Sequence, residues 1–172
     1  MSSKYKFSDI EGVYFTTSTV VDWIDVFTRD VYRDILLNSF RFCQKNQGLQ
    51  IHAWVPITIG MPNHFHMICS FNNNADPGMV IKNIKSFTAI KLIDAIINNP
   101  QESRRSWMLD LFEKHGKANK SNYRFQFWQH ENHPILLNNL KMYNQRLVYL
   151  HENPVRARFC KRATRVAIWQ CN

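Results

Sequence analysis

The run from Gly60 to Ile68, Gly-Met-Pro-Asn-His-Phe-His-Met-Ile, sets His64 and His66 one residue apart inside an otherwise apolar stretch. Alternate side chains on a strand share a face, so His64, His66 and Ile68 point one way and Phe65, Met67, Cys69 and Phe71 the other. The second set reads as a core face, and both imidazoles are expected to point out of that core. Two neutral imidazoles side by side can hold one Zn, Mn, Fe or Ni ion with coordination positions left open, the pattern of a catalytic rather than a structural site. The spacing also fits two polar residues on a solvated strand face.

A second group lies near the carboxy end. At about 100° per residue, Leu136, Leu140, Tyr143, Leu147 and Leu150 gather within roughly 80° of arc, the stripe expected to pack on a sheet. Tyr149 falls roughly 140° from the centre of that stripe, on a face shared with Gln145 and Asn153. Tyr149 and Asn153 are an i, i+4 pair. A phenol, an amide oxygen and two imidazoles can be arranged as a nucleophile beside a three-ligand metal that polarises a phosphate oxygen during an in-line displacement. An unassisted phenol of pKa about 10 is only ~0.1% ionised at neutral pH, a handicap that a nearby cation reduces. The plainer readings are a half-buried tyrosine bonded at its tip and an asparagine closing a helix ahead of Pro154.

The elements that would carry these groups can be read in order. Residues 12–21, rich in β-branched and aromatic types, predict a first strand, and the pattern over 29–47 predicts a helix ended by Gly48. In the stretch 49–59, Ile51, Ala53, Val55 and Ile57 alternate onto one side of a second strand, which pairs with the histidine strand as an antiparallel hairpin around Gly60. Asn72 to Gly78 is a loop, and a helix follows. A polar stretch with a short amphipathic piece, an aromatic strand candidate at 123–129 and a final helix from about His133 to Pro154 complete the chain. Strands and helices joined by short loops predict a single α+β domain over 1–172, with helices packed on an antiparallel sheet.

Composition narrows the partners. Twenty-two Lys and Arg against 13 Asp and Glu give a net charge of +9 on 172 residues, which favours a polyanion, nucleic acid foremost. Cys43, Cys69, Cys160 and Cys171 are widely spaced and read as reduced, buried thiols rather than a disulfide framework or zinc knuckle. No window has the ~18 apolar residues of a membrane span, and the amino terminus lacks a signal-peptide apolar core, so a cytoplasmic protein is expected.

The segments Met-Pro-Asn-His-Phe-His-Met-Ile and Val-Tyr-Leu-His-Glu-Asn-Pro-Val-Arg-Ala-Arg-Phe together resemble the single-tyrosine HUH transposases, specifically the REP-associated tyrosine transposases and their insertion-sequence relatives. The resemblance implies a ferredoxin-like α+β sandwich. It implies Tyr149 as nucleophile, with His64, His66 and Asn153 as ligands of Mg²⁺ or Mn²⁺. The implied activity is cleavage and rejoining of single-stranded DNA at hairpin or palindromic ends through a 5′-phosphotyrosine, by a monomer or a homodimer. Arg158 stands where the family usually has glycine, and the tail after Phe159 departs from the family pattern.

Lys82, Lys85, Lys91, Arg156, Arg158, Lys161, Arg162 and Arg165 are the expected phosphate contacts, with a solvated charged face as the alternative for each. Trp128, His130 and His133 are candidates for contacts to an unpaired base, with packing as the equal alternative for Trp128. Two competing functions stay open: a non-catalytic module that binds hairpin DNA or RNA, and a metal-dependent nuclease that activates water.

Overall fold

The computed structural model describes residues 7–55, 62–72, 74–119, 124–130 and 132–156, the side chains of 153–156 excepted. Four strands, β1 (Tyr14–Thr19), β2 (Leu49–Trp54), β3 (His64–Phe71) and β4 (Ile135–Leu136), form one antiparallel sheet in the order β2-β3-β1-β4. With helices α1 (Asp30–Asn46) and α2 (Pro77–Asn98) as crossovers, the chain runs β-α-β-β-α-β, the expected α+β ferredoxin-like arrangement. Helix α3 (Arg105–Ala118) is inserted before β4, and α4 (Leu140–Arg156) follows it. No helix among the described residues is long and apolar enough to cross a membrane.

Local chemistry accounts for the helix ends. Gly48 takes the left-handed conformation (φ 71°) that stops α1, and its carbonyl accepts from Asn72 N at 2.9 Å. Asp76 caps α2 by accepting from Met79 N at 3.1 Å, with Pro77 in the first turn, where its missing N–H costs nothing. Asn139 caps α4, its side-chain oxygen accepting from Met142 N and its carbonyl from Tyr143 N.

Helices cover both faces of the sheet. The larger core sets Phe65, Met67, Cys69 and Phe71 against α1 and α2, as the alternation predicts. Cys43 and Cys69 are free thiols inside it, and burial pushes Cys69 up to about 12. The smaller core joins Phe15, Ala53, Val55, Ile68, Leu137 and Leu150 beneath α4. The histidine face of β3 is therefore not a solvated surface: it is the floor under α4, and His66 is only 7% exposed.

Four readings need correction. The alternation expected along β2 breaks because pairing with β3 shifts between Ile51 and Ala53, a bulge at His52. Ile51 consequently faces the larger core while Ala53 and Val55 face the smaller one. The aromatic segment ending at Gln129 makes a single bridge, Val20 to Trp128, instead of a strand, since Phe127 and Trp128 are consecutive and both buried. The last helix starts at Leu140, its predicted first turns being β4 and the Asn139 cap. Finally, α4 continues through Pro154, whose fixed φ is itself helical. The hairpin tip around Gly60 lies outside the described residues.

A buried carboxylate ties the helices together. Burial would raise the Glu102 pKa, but the Arg104 and Arg29 guanidiniums, at 3.0 and 2.8 Å, hold it at about 2, and the Tyr32 hydroxyl also donates to it. A depressed carboxylate contributes stability that is complete above its unfolded value and lost as pH falls through the folded one. Acid should therefore erode stability between about pH 4.5 and 2, and Glu102→Gln should cost roughly 3 kcal/mol in urea unfolding at pH 7 while flattening that acid limb.

Candidate active site

The register places Thr17 of β1 opposite His66 and Thr19 opposite His64, so the histidines sit in the middle of the sheet beside a threonine row. Thr17 Oγ1 lies 2.6 Å from His66 Nδ1. In the tautomer that donates Nδ1–H to this hydroxyl, the Nε2 lone pair turns toward Tyr149, whose hydroxyl is 3.4 Å away. Phe15 stacks on the His66 ring, centroids 5.2 Å apart, and meets the Tyr149 ring edge-on at 5.9 Å. The two imidazoles are 4.9 Å apart between centroids.

Asn63 controls the second imidazole. Its amide nitrogen donates to Trp23 O at 3.0 Å and to Asp25 Oδ1 at 2.7 Å, which fixes the amide orientation and turns Oδ1 toward His64. His64 Nδ1 must then be the donor, at 2.6 Å, and Nε2 keeps its lone pair. Burial lowers the His64 pKa. Burial, with the charges of His64 and Arg146, lowers His66 to about 3. Both rings are thus neutral near pH 7, the state in which imidazole binds metals.

Tyr149 reaches His66 because α4 presents a different face from the one its leucines suggest. Leu140 is 73% exposed and Leu136 belongs to β4, so neither marks the packing side. The side chains on the sheet are Met142, Tyr143, Leu147, Tyr149 and Leu150, with the Arg146 guanidinium 5.1 Å above the Phe15 ring. This face is rotated by roughly 60° from the expected stripe and includes Tyr149 instead of turning it away. Asn153, one turn later, is helical in backbone, and its side chain lies outside the described residues.

Thr17, Asn63 and Arg146 thus adjoin the histidines and tyrosine without having been singled out for such a role. Arg146 carried a signal, since it precedes Tyr149 by three residues on the helix. Thr17 carried none, because only strand register brings it to His66.

The basic residues divide. Lys82 and Lys91 are exposed on α2. Lys85 is not a free surface charge: its ammonium donates to Gln129 O at 2.6 Å and Asn132 Oδ1 at 2.7 Å, and burial lowers its pKa to about 8. Trp128 is core, 5% exposed, stacked on Phe27 and donating to Thr88 Oγ1 at 3.0 Å, so it cannot offer its face to a base. His130 is exposed and hydrogen-bonded to Asn119, and His133 is exposed with φ 38°. The Arg156 side chain, and Arg158, Lys161, Arg162 and Arg165 entirely, lie outside the described residues.

Strain marks the loop after β1. Asp22 and Trp23 are consecutive non-glycine residues with φ of 50° and 55°, a conformation costing of order 1–3 kcal/mol at each.

Three outcomes are expected. Thr17→Val, which leaves His66 Nδ1 without its partner, should cost about 1–3 kcal/mol in urea unfolding, and Thr17→Ser should restore most of it. Lys85→Met should lower thermal stability while Lys82→Ala leaves it unchanged. If Lys82 touches a phosphate, its removal should reduce the slope of log K against log salt by about one.

No protein-family profile matches the chain, and no curated protein matches it. Solved structures do. A REP-associated tyrosine transposase bound to a REP hairpin superposes with a TM-score of 0.63 at 18% identity, over 95% of this chain and 79% of that one. A chain from Deinococcus radiodurans R1 assigned as a transposase matches with a TM-score of 0.47 at 15% identity, over 88% of this chain and 98% of its own. The resemblance noted in the two sequence motifs thus extends to the whole described architecture: this chain has the fold of the REP-associated tyrosine transposase.

Proposed function

We propose that the protein is a metal-dependent DNA strand transferase that uses Tyr149 to cleave and rejoin single-stranded DNA beside hairpin or palindromic structure. The observation that carries this reading is the convergence of the Tyr149 hydroxyl on His66 Nε2, with the His64 ring alongside, beneath one helix. A structural tyrosine needs a hydrogen-bond partner but has no need of a pair of neutral imidazoles. The fold shared with a transposase and the +9 charge support the same reading.

His64 and His66 suit a divalent cation, since each has Nδ1 engaged and Nε2 facing away from that partner. Asn153 is the proposed third ligand. Mn²⁺ fits imidazole donors better than Mg²⁺, which prefers oxygen. Bound there, the ion would supply Lewis-acid polarisation of a phosphate oxygen.

The chain's own residues supply the remainder. Phe15 and His66 meet the Tyr149 ring edge-on at 5.9 and 5.4 Å between centroids, which limits the directions its hydroxyl can take. In the displacement the phenol loses its proton to solvent and its oxygen bonds to phosphorus. The bond from phosphorus to the 3′ oxygen breaks, and that oxygen takes up a proton. The product is a 5′-phosphotyrosine and a free 3′-OH. Arg146, on the same face of α4, would attract the phosphate, while Lys82 and Lys91, exposed on α2 across the sheet, would meet the DNA away from the reacting bond.

A second reading, a hairpin-binding module on the same scaffold, draws on the matched structure, which is bound to a REP hairpin. One assay separates the two. Incubated with a labelled single-stranded hairpin and Mn²⁺ or Mg²⁺, the protein should form an adduct that survives denaturing electrophoresis. EDTA, Tyr149→Phe and the pair His64→Ala with His66→Ala should each reduce it by at least about a hundredfold. Binding without any adduct, indifferent to EDTA and to the histidine changes, would establish the second reading, and an adduct retained by Tyr149→Phe would reject Tyr149.

A further inference from the structure

Trp23 is 57% exposed and stands at the mouth of the candidate site, its ring 5.3 Å from that of His64. Isolated exposed aromatics are common and carry little meaning. This one is held in place with unusual firmness. Val21 and Ile24 on either side are buried, Val21 N donates to Phe127 O at 3.0 Å, and Asp22 pairs with His115 of α3 at 2.9 Å. The Trp23 carbonyl accepts from Asn63, the residue that also orients His64. Two successive left-handed residues, Asp22 and Trp23, complete the turn that puts the indole outside.

The indole meets the His64 ring edge-on yet leaves more than half of its surface to solvent, so burial of the indole does not account for the strain. A turn pinned from three directions so as to hold a large rigid ring in water beside the proposed ligand pair is suited to a planar apolar partner. On a nucleic acid the planar apolar surface is a base, and a base inside a duplex has both faces covered by its neighbours. An unpaired base has a face to give.

Resting on the strand-transfer reading, we propose that the Trp23 indole is a stacking platform for one unpaired nucleobase of the strand that enters the His64, His66 and Tyr149 site. Stacking is indifferent to base identity, so Trp23 selects single-stranded over paired DNA at that position and leaves sequence choice to other contacts. Asn63 is a positioning residue for it, coupling the platform to the His64 ring.

The test uses full-length protein carrying Tyr149→Phe, in EDTA, so that adduct formation and metal play no part and the failure of Tyr149 as nucleophile would leave the result standing. Binding is measured by fluorescence anisotropy for a labelled DNA hairpin with a short unpaired flank and for the same hairpin flush-ended. Trp23→Ala should weaken binding of the flanked hairpin roughly tenfold and leave the flush one unchanged, and Trp23→Phe should recover most of the loss. An abasic nucleotide moved along the flank should reach one position where the unsubstituted Trp23 protein falls to the level of Trp23→Ala and the variant loses nothing more. Equal binding by Trp23→Ala and its parent, equal losses on both DNAs, or no sensitive abasic position would overturn the proposal. A change of sedimentation in Trp23→Ala without a change in DNA binding would overturn it too, assigning the indole to a protein contact. Trp23→Phe, which preserves a ring at the strained turn, keeps the comparison valid if the alanine variant melts early.

Discussion

Burial of β3 on both faces is the constraint on which the remaining structure depends. A strand covered on one side can leave polar groups to water on the other, but a strand covered on both must find partners for each. On the α1 and α2 side there is nothing polar to satisfy in Phe65, Met67, Cys69 and Phe71. On the α4 side the imidazole of His66 is enclosed by Phe15 and Tyr149 and bonded to Thr17. An imidazole left without that bond in such surroundings would be costly, so the pairing of β1 with β3 sets both the sheet register and the chemistry of the ring. A slip by one residue would drive His66 toward the aromatic group of Phe40 and Trp128 that now encloses Phe65.

The same helix face serves packing and reactivity. Leu150 and Leu147 close the smaller core, while Arg146 and Tyr149, from the same turns, sit over Phe15 and His66. Positional precision of the phenol therefore follows from apolar contact, because the leucines that anchor α4 also determine where its tyrosine can reach. The larger core on the far side contributes no group to the site. Its role is to back the sheet so that the opposite face holds two rings at a constant separation.

How much of this was legible in the sequence depends on how local each cause is. The strands at 14–19 and 64–71 and the helices at 30–46 and 77–98 were readable, since alternation, β-branched composition, helical period and the Gly48 stop all act within a few residues, although the loop expected to run to Gly78 gives way to α2 at Pro77, under the Asp76 cap. The pairing of His64 with His66 on one face was readable for the same reason. The rotation of α4 was not, because Leu140 counts as apolar in any periodicity argument and only the position of the sheet decides that it remains in water. Nor was the role of Lys85, whose partners Gln129 and Asn132 are more than forty residues away. Trp128 was ambiguous in the sequence, and what settled it was Phe27 and Thr88, both distant along the chain. Of the tyrosine, histidines and asparagine proposed as one centre, three side chains are seen together.

The irregularity at His52 bears on how this chain can vary. Because of it Ile51 and Ala53, two apart in sequence, face opposite cores, and ordinary alternation then returns Trp54 to the larger one. Dropping His52 would close the ladder one-to-one, with Ile51 still opposite Cys69 and Ala53 opposite Ile68, at the loss of its 2.8 Å bond to Ser70 Oγ, whereas dropping Ala53 would carry Trp54 to the place opposite Ile68 and deliver an indole to a space now filled by a methyl group. Away from the bulge it is therefore the length of this strand, more than its composition, that the two cores constrain.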